Sequence, residues 1–85
     1  MPKIEIYTQS GCGFCARAMA LLNRRGVPFT EIDAPHGSPA RQEAAARSHG
    51  RTSVPQIFIN GAHIGGCDEL IALDRAGRLD ALLAA

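Results

Sequence analysis

Hydrophobic positions along the chain change period several times, and each change marks an element. Lys3 to Thr8 alternates, with Ile4 and Ile6 on one face and Glu5 and Tyr7 on the other, which predicts a strand. Gln9-Ser10-Gly11 reads as a turn. From Gly13 the period becomes helical. Cys15, Ala18, Met19 and Leu22 fall at i, i+3, i+4 and i+7 on one apolar stripe, while Arg17 and Arg24 fall elsewhere. Gly26 ends that helix and Pro28 prevents its resumption. Phe29 to Asp33 is a short, weakly patterned strand, expected at a sheet edge. Strand, helix, strand makes a βαβ unit, so these two strands should be parallel.

The second half continues with turn chemistry. Ser38-Pro39 looks like an N-cap followed by proline at the first helical position, and the Ala-rich stretch to Ser48 is the helix it starts, ended near Gly50. Gln56 to Ile59 predicts a third strand. Asn60-Gly61 is a strong hairpin signal that returns the chain as a fourth strand over Ala62 to Ile64. Gly65-Gly66 breaks that strand, and Cys67 or Asp68 opens a third helix to about Ala76. Leu79, Leu82 and Leu83 form a last amphipathic turn after Gly77. The pattern therefore gives an α/β domain over residues 1–85, a four-stranded mixed sheet with helices on both faces.

Composition narrows the functions open to such a domain. Nine Lys plus Arg against eight Asp plus Glu leaves a net charge of +1, which argues against a nucleic-acid surface or an anionic-membrane anchor. No apolar run approaches the ~20 residues of a membrane span. The first residues open straight into a strand pattern without a signal-peptide core, so a cytoplasmic location is expected. Three cysteines are too few for a secreted disulfide scaffold. They point to chemistry rather than to stapling.

Cys12-Gly13-Phe14-Cys15 stands just after a strand and at the start of a helix. Cys15 lies on the apolar stripe and should face the core. Cys12 precedes the first full turn, where backbone N–H groups are unpaired and the helix end is positive. One thiol is thus exposed and favoured as thiolate, with the other behind it, which suits an attacking and a resolving cysteine. Lowering a thiol pKa by ~3 units from ~8.5 takes ~4 kcal/mol. A helix end supplies ~0.3–1 kcal/mol, at most ~2. Hydrogen bonds to the sulfur, worth ~1.5–3 kcal/mol each when charge-assisted, must supply the remainder. The thiolate should therefore be held by the backbone of its own turn. A zinc site would need four ligands, and Cys67 with three scattered histidines offers no paired spacing.

Three separated motifs carry a family resemblance across essentially the whole chain. They are Cys12-Gly13-Phe14-Cys15, Thr52-Ser53-Val54-Pro55 before the third strand, and Gly65-Gly66-Cys67-Asp68-Glu69-Leu70 at the third helix, with Gln56-Ile57-Phe58-Ile59 between. Together they resemble the glutaredoxins, dithiol oxidoreductases of thioredoxin-like fold, and among these the bacterial glutaredoxin 3 type. The resemblance implies glutathione-dependent thiol–disulfide exchange, with Cys12 as nucleophile and Cys15 as resolving thiol. It implies a cis peptide before Pro55 and a Val54 backbone that pairs with the cysteine of glutathione. Gly66, Cys67 and Asp68 would receive the γ-glutamyl end, with Gly65 and Gly66 allowing close approach. A blander reading of Asp68 is a helix N-cap.

Phe14 should border the ligand, while Tyr7 and Phe58 read as sheet-face packing. Many glutaredoxins have Lys where this chain has Gln9, so the glycyl carboxylate of glutathione should meet Gln9 and Gln42, with Arg41 or Arg51 as candidate cations. Surface arginines are an equal reading of the last two. His36, His49 and His63 are isolated and read as surface residues. Cys67 is either a small helix-start residue or a secondary thiol open to glutathionylation. Partners implied are glutathione and disulfide-containing or glutathionylated proteins, acting on a monomer, with no nucleic acid and no membrane. The alternative function is a glutathione-ligated [2Fe–2S] carrier or scaffold, in which two chains share one cluster. Cys12 would then be the metal ligand and the chain a dimer; the resting enzyme is expected to hold no metal.

Overall fold

A computed structural model describes residues 2–84. The chain runs β1 (Ile4–Thr8), α1 (Gly13–Arg24), β2 (Thr30–Asp33), α2 (Pro39–Arg47), β3 (Gln56–Ile59), β4 (Ala62–Gly65), α3 (Cys67–Arg75) and α4 (Leu79–Leu83). The strands form one sheet in the order β2-β1-β3-β4. β1 pairs with β2 in parallel and with β3 antiparallel, and β3 pairs with β4 antiparallel. The expected βαβ unit and mixed sheet are thus both present, with β2 at an edge. Asn60 and Gly61 both take positive φ, 50° and 82°, as a two-residue hairpin turn between β3 and β4 demands.

The alternation along β1 gives each sheet face its own core. On one face Ile4, Ile6, Ile57 and Ile59 pack with Ala18, Leu21 and Leu22 of α1, Leu70 of α3 and Leu79 of α4. Leu21 joins this core although it stands off the i, i+3, i+4, i+7 stripe, and Met19 of that stripe is only half-buried. α1 faces both sheet and α3, so its apolar arc is wider than a single stripe. On the other face Tyr7 and Phe58 meet edge to face, 5.7 Å between centroids, beneath Ala34 and the Ala44 of α2. α2 begins where Ser38 Oγ accepts the Arg41 N–H (3.1 Å), with Pro39 first in the helix. Among the described residues no helix is long and apolar enough to cross a membrane.

With an alanine-rich α2 above it, the second face has few large apolar side chains to bury. Arg47 closes it. Its guanidinium sits 4.0 Å from the Phe58 ring centroid, donates to the Tyr7 hydroxyl (2.8 Å) and ion-pairs with Glu5 (3.0 Å). The Tyr7 hydroxyl in turn donates to the Glu43 carboxylate. Burial raises the Tyr7 pKa, helped by Glu43, and the Arg47 hydrogen bond lowers that of Glu5.

Arg47→Ala should therefore lower stability by about 2 kcal/mol, a fall of roughly 8–16 °C in Tm, read by thermal unfolding. Because the folded pKa of Glu5 lies below its ordinary 4.5, the pair stabilises fully above that pH. The advantage of wild type over Glu5→Gln should hold at neutral pH and shrink as the pH falls below about 4.5.

Candidate active site at the end of the central strand

β1 delivers the chain to a turn whose last residue, Cys12, is the N-cap of α1. Its sulfur accepts the Cys15 N–H at 3.2 Å, the bond that satisfies an orphan donor of the helix start. The cysteine side chain occupies the place that Ser or Asp commonly holds, so the cap geometry itself aims a donor at the sulfur. Cys15 is buried, at 1% exposure, and Cys12 half-buried; a disulfide joins them with their Cα atoms 5.3 Å apart. The same N–H is placed to meet the negative charge when the pair is reduced.

Across the sheet, the antiparallel pairing of Tyr7 with Gln56 brings the loop before β3 against this turn. The Val54–Pro55 peptide is cis, as the resemblance implied, and the Val54 carbonyl oxygen lies 3.9 Å from Cys12 Sγ. The N–H and C=O of Val54 make no backbone hydrogen bond among the described residues, so both are open to an extended peptide. Phe14, Val54, Pro55, Gly66, Cys67 and Asp68 line one groove of about 180 Å³, with Ser53, Arg51 and Glu69 completing it.

The α3 end of the groove differs in one respect from the sequence expectation. Gly66, not Asp68, is the N-cap of α3, and Asp68 is the second helical residue with its side chain exposed. The cap partner is Glu69, whose carboxylate accepts the Gly66 N–H at 2.6 Å. Glu69 also accepts from Arg51 (2.9 Å), and these two contacts, the Gly66 N–H first, hold its carboxyl below the usual range. Three-residue spacing from cap to glutamate is the sequence signal that could have found it. Asp68 is thereby released from capping, free to face a ligand. Cys67 is buried in the first turn of α3, and that burial pushes its thiol pKa up.

Gln9 lies outside the groove lining but is not alone. Arg41 Nη1 donates to Gln9 Oε1 (2.6 Å) and to the Ala34 carbonyl (2.9 Å), while Nε and Nη2 donate to the Thr52 carbonyl (3.1 and 2.9 Å). Arg41 thus ties together the loops after β1, after β2 and before β3. Of the two candidate cations, Arg41 stands beside Gln9, and Arg51 pairs with Glu69 at the opposite end. Gln42 is exposed and outside the groove lining.

The histidines correct another expectation. His36 and His49 are exposed, but His63 is half-buried, its ring 6.2 Å from that of His49 and 5.2 Å from Phe58. Its Nε2 lies 2.8 Å from Oε1 of the buried Gln56. Since the Gln56 amide nitrogen donates to the Ser53 carbonyl (3.0 Å), His63 Nε2 is the donor of that pair. Burial first, then Arg51 and His49, lowers the His63 pKa, which keeps the ring neutral at pH 7.

A half-exposed cysteine at a helix start, a buried partner three residues on, and a backbone-edged groove beside them define a thiol–disulfide oxidoreductase of thioredoxin-like fold. The glutaredoxin family model matches residues 4–64, and the chain belongs to the glutaredoxin family. It is 53% identical over 83 residues to glutaredoxin 3 of Escherichia coli, covering 98% of this chain and 99% of that one. Among solved structures, the glutaredoxin of Brucella melitensis superposes with a TM-score of 0.81 at 52% identity, covering 95% and 87% of the two chains. A buckwheat glutaredoxin–glutathione complex superposes with a TM-score of 0.85 at 30% identity, covering 98% and 77%.

Gly65 has φ of 124°, and a Cβ there would overlap the Glu69 side chain. Gly65→Ala should accordingly displace Glu69 from the Gly66 N–H and cost more than ~2 kcal/mol. Thermal unfolding reads the loss of stability, and amide exchange at Gly66 should accelerate. Unchanged exchange at the Gly66 amide would refute the clamp.

Proposed function

We propose that this chain reduces glutathione mixed disulfides and protein disulfides in the cytoplasm, with glutathione as co-substrate. The observation that carries this reading is the half-exposed Cys12 sulfur, faced by the Cys15 N–H and flanked by the open Val54 backbone. A groove of this size takes an extended tripeptide laid along it better than a compact ligand of ordinary pocket volume. The backbone N–H and C=O of Val54 suit the cysteine residue of that tripeptide. The first turn of α3 presents N–H groups to its α-carboxylate, and the exposed Asp68 carboxylate suits its ammonium. Gln9, its amide oxygen held by Arg41, keeps its NH₂ group to offer the glycyl carboxylate, with Gln42 nearby in sequence on α2. The buckwheat neighbour solved with glutathione supports the same ligand.

In the first half-reaction the Cys12 thiolate attacks the glutathionyl sulfur of a mixed disulfide. The Cys12–glutathione bond forms, the substrate sulfur–sulfur bond breaks, and the substrate leaves as thiolate. A second glutathione thiolate then attacks the glutathionyl sulfur on Cys12, releasing glutathione disulfide and restoring the Cys12 thiolate. On a protein disulfide, Cys12 forms the mixed disulfide with the protein and Cys15 attacks Cys12 Sγ. That yields the Cys12–Cys15 disulfide and the reduced protein, and two glutathiones return the pair to the dithiol. Burial of Cys15 keeps it from starting the reaction, and its place three residues on keeps it within reach of Cys12.

Cys12→Ser should abolish turnover of a glutathione mixed disulfide, while Cys15→Ser keeps much of it and loses protein-disulfide reduction. Equal loss from both would sink the division of roles. In the same assay Asp68→Ala should raise the Michaelis constant for glutathione roughly 5- to 150-fold, the equivalent of ~1–3 kcal/mol. Its Tm should hold, because Gly66 and Glu69 form the cap.

One observation favours a second reading, a shared [2Fe–2S] cluster. A Cβ at Gly13 would meet nothing within 4 Å, so the space next to Cys12 is open. Among the described residues no three His, Cys, Asp or Glu side chains gather as a metal site, so a cluster would need two chains and two glutathione thiolates beside the two Cys12 sulfurs. Anaerobic reconstitution with iron, sulfide and glutathione should then give colour and a shift from monomer to dimer. Gly13→Pro should lower the yield; an equal yield would show that the steric argument is wrong.

A further inference from the structure

Phe14, Arg17, Leu21 and Arg24 recur at i, i+3, i+7 and i+10 along α1, one helix face that runs away from Cys12. Phe14 is 56% exposed, and the Arg17 guanidinium lies 5.9 Å from its ring centroid. Beyond it Arg17 and Arg24, with Arg75 from α3, line a cleft of about 290 Å³ whose apolar lining includes Leu21 and Ile71. The acidic side chain in that lining, Asp74, is ion-paired with Arg25. Arg17, Arg24 and Arg75 make no salt bridge among the described residues. The whole chain carries only +1, so these unneutralised guanidiniums are a local concentration and not the surface of a basic protein.

We propose that the α1–α3 cleft docks an acidic segment of the protein whose disulfide Cys12 attacks. An exposed aromatic next to a row of arginines is the side-chain mixture that protein interfaces favour, and guanidinium groups hold carboxylates in paired hydrogen bonds. From Phe14 to Arg24 the helix rises about 15 Å, which four or five extended residues span. The partner is therefore a chain with Asp or Glu within about that reach of its reactive cysteine. The arginine cleft shares no lining residue with the glutathione groove, and only Phe14, at the head of the row, also lines that groove, so docking in the cleft sorts protein substrates without altering the exchange at sulfur. It rests on the reading that protein disulfides are substrates, and a binding measurement separates the two.

The test uses two glutathionylated peptides of equal length, one glutamate-rich and one lysine-rich. Wild type should reduce the glutamate-rich peptide with roughly tenfold higher kcat/KM at low salt, and the preference should fade as salt is added. Arg24→Glu/Arg75→Glu should erase the preference while leaving reduction of a small glutathione mixed disulfide unchanged. Lys3→Glu/Arg78→Glu, an equal charge change outside the cleft, should retain it. Fluorescence anisotropy with the glutamate-rich peptide, its cysteine replaced by serine, should show binding that only the cleft variant loses. This arm reads docking even if neither peptide is reduced, an outcome that would count against the substrate class alone. Failure of that peptide to bind wild type would overturn the proposal. So would a preference lost equally in both double variants, tighter binding of a single-stranded oligonucleotide, or a wild-type dimer that only the cleft variant dissolves.

Discussion

The antiparallel register between β1 and β3 is the constraint on which the rest of the molecule depends. Tyr7 opposite Gln56 leaves the residues just after β1 facing the residues just before β3, and those are the cysteine turn and the Val54–Pro55 ridge. A slip of one residue would send Ile4 and Ile6 to the α2 face and Tyr7 to the other. It would also part Val54 from Cys12. Both cores enforce the register, because one face packs the strand isoleucines against α1 and the other sets the ring of Tyr7 beneath Arg47. The packing that stabilises the fold and the geometry that makes the site are thus one condition.

Charge is distributed so that the Cys12 sulfur is met by backbone rather than by cations. The Cys15 N–H faces Cys12, while most arginines near the site have other work: Arg41 holds three loops, Arg51 holds Glu69, and Arg47 closes the α2 face. A backbone donor is fixed by the helix start and cannot swing away, whereas a surface guanidinium is mobile and screened. Arg17, Arg24 and Arg75, which make no salt bridge among the described residues, lie along α1 and α3, in the cleft proposed for a macromolecular partner.

Much of this was legible along the chain because it depends on neighbours within a few residues. The alternation of β1, the period of α1, Ser38-Pro39 and Asn60-Gly61 each specify an element by local sterics and hydrogen bonding. The placement of Cys12 before the first turn and Cys15 on the buried stripe follows from the same periodicity. The alternative reading of Asp68 as a cap fails because two consecutive glycines leave the helix start open to more than one register, and the Glu69 contact settles it at Gly66.

The elements, their order and the asymmetry of the cysteine pair follow from the residues in chain order, because they rest on φ/ψ preferences and on which face of a helix or strand is apolar. Which distant side chains meet is settled by the folded packing. Val54 reaches Cys12 across 42 positions, Arg41 reaches Gln9 across 32, and Arg47 reaches Tyr7 across 40. His63 finds Gln56 across the hairpin by the same kind of pairing, which its isolation along the chain hid. Such contacts are set by strand register and by where a long arginine can lay its guanidinium. Neither quantity is encoded in local propensity, because both depend on how two whole surfaces fit once they are buried together.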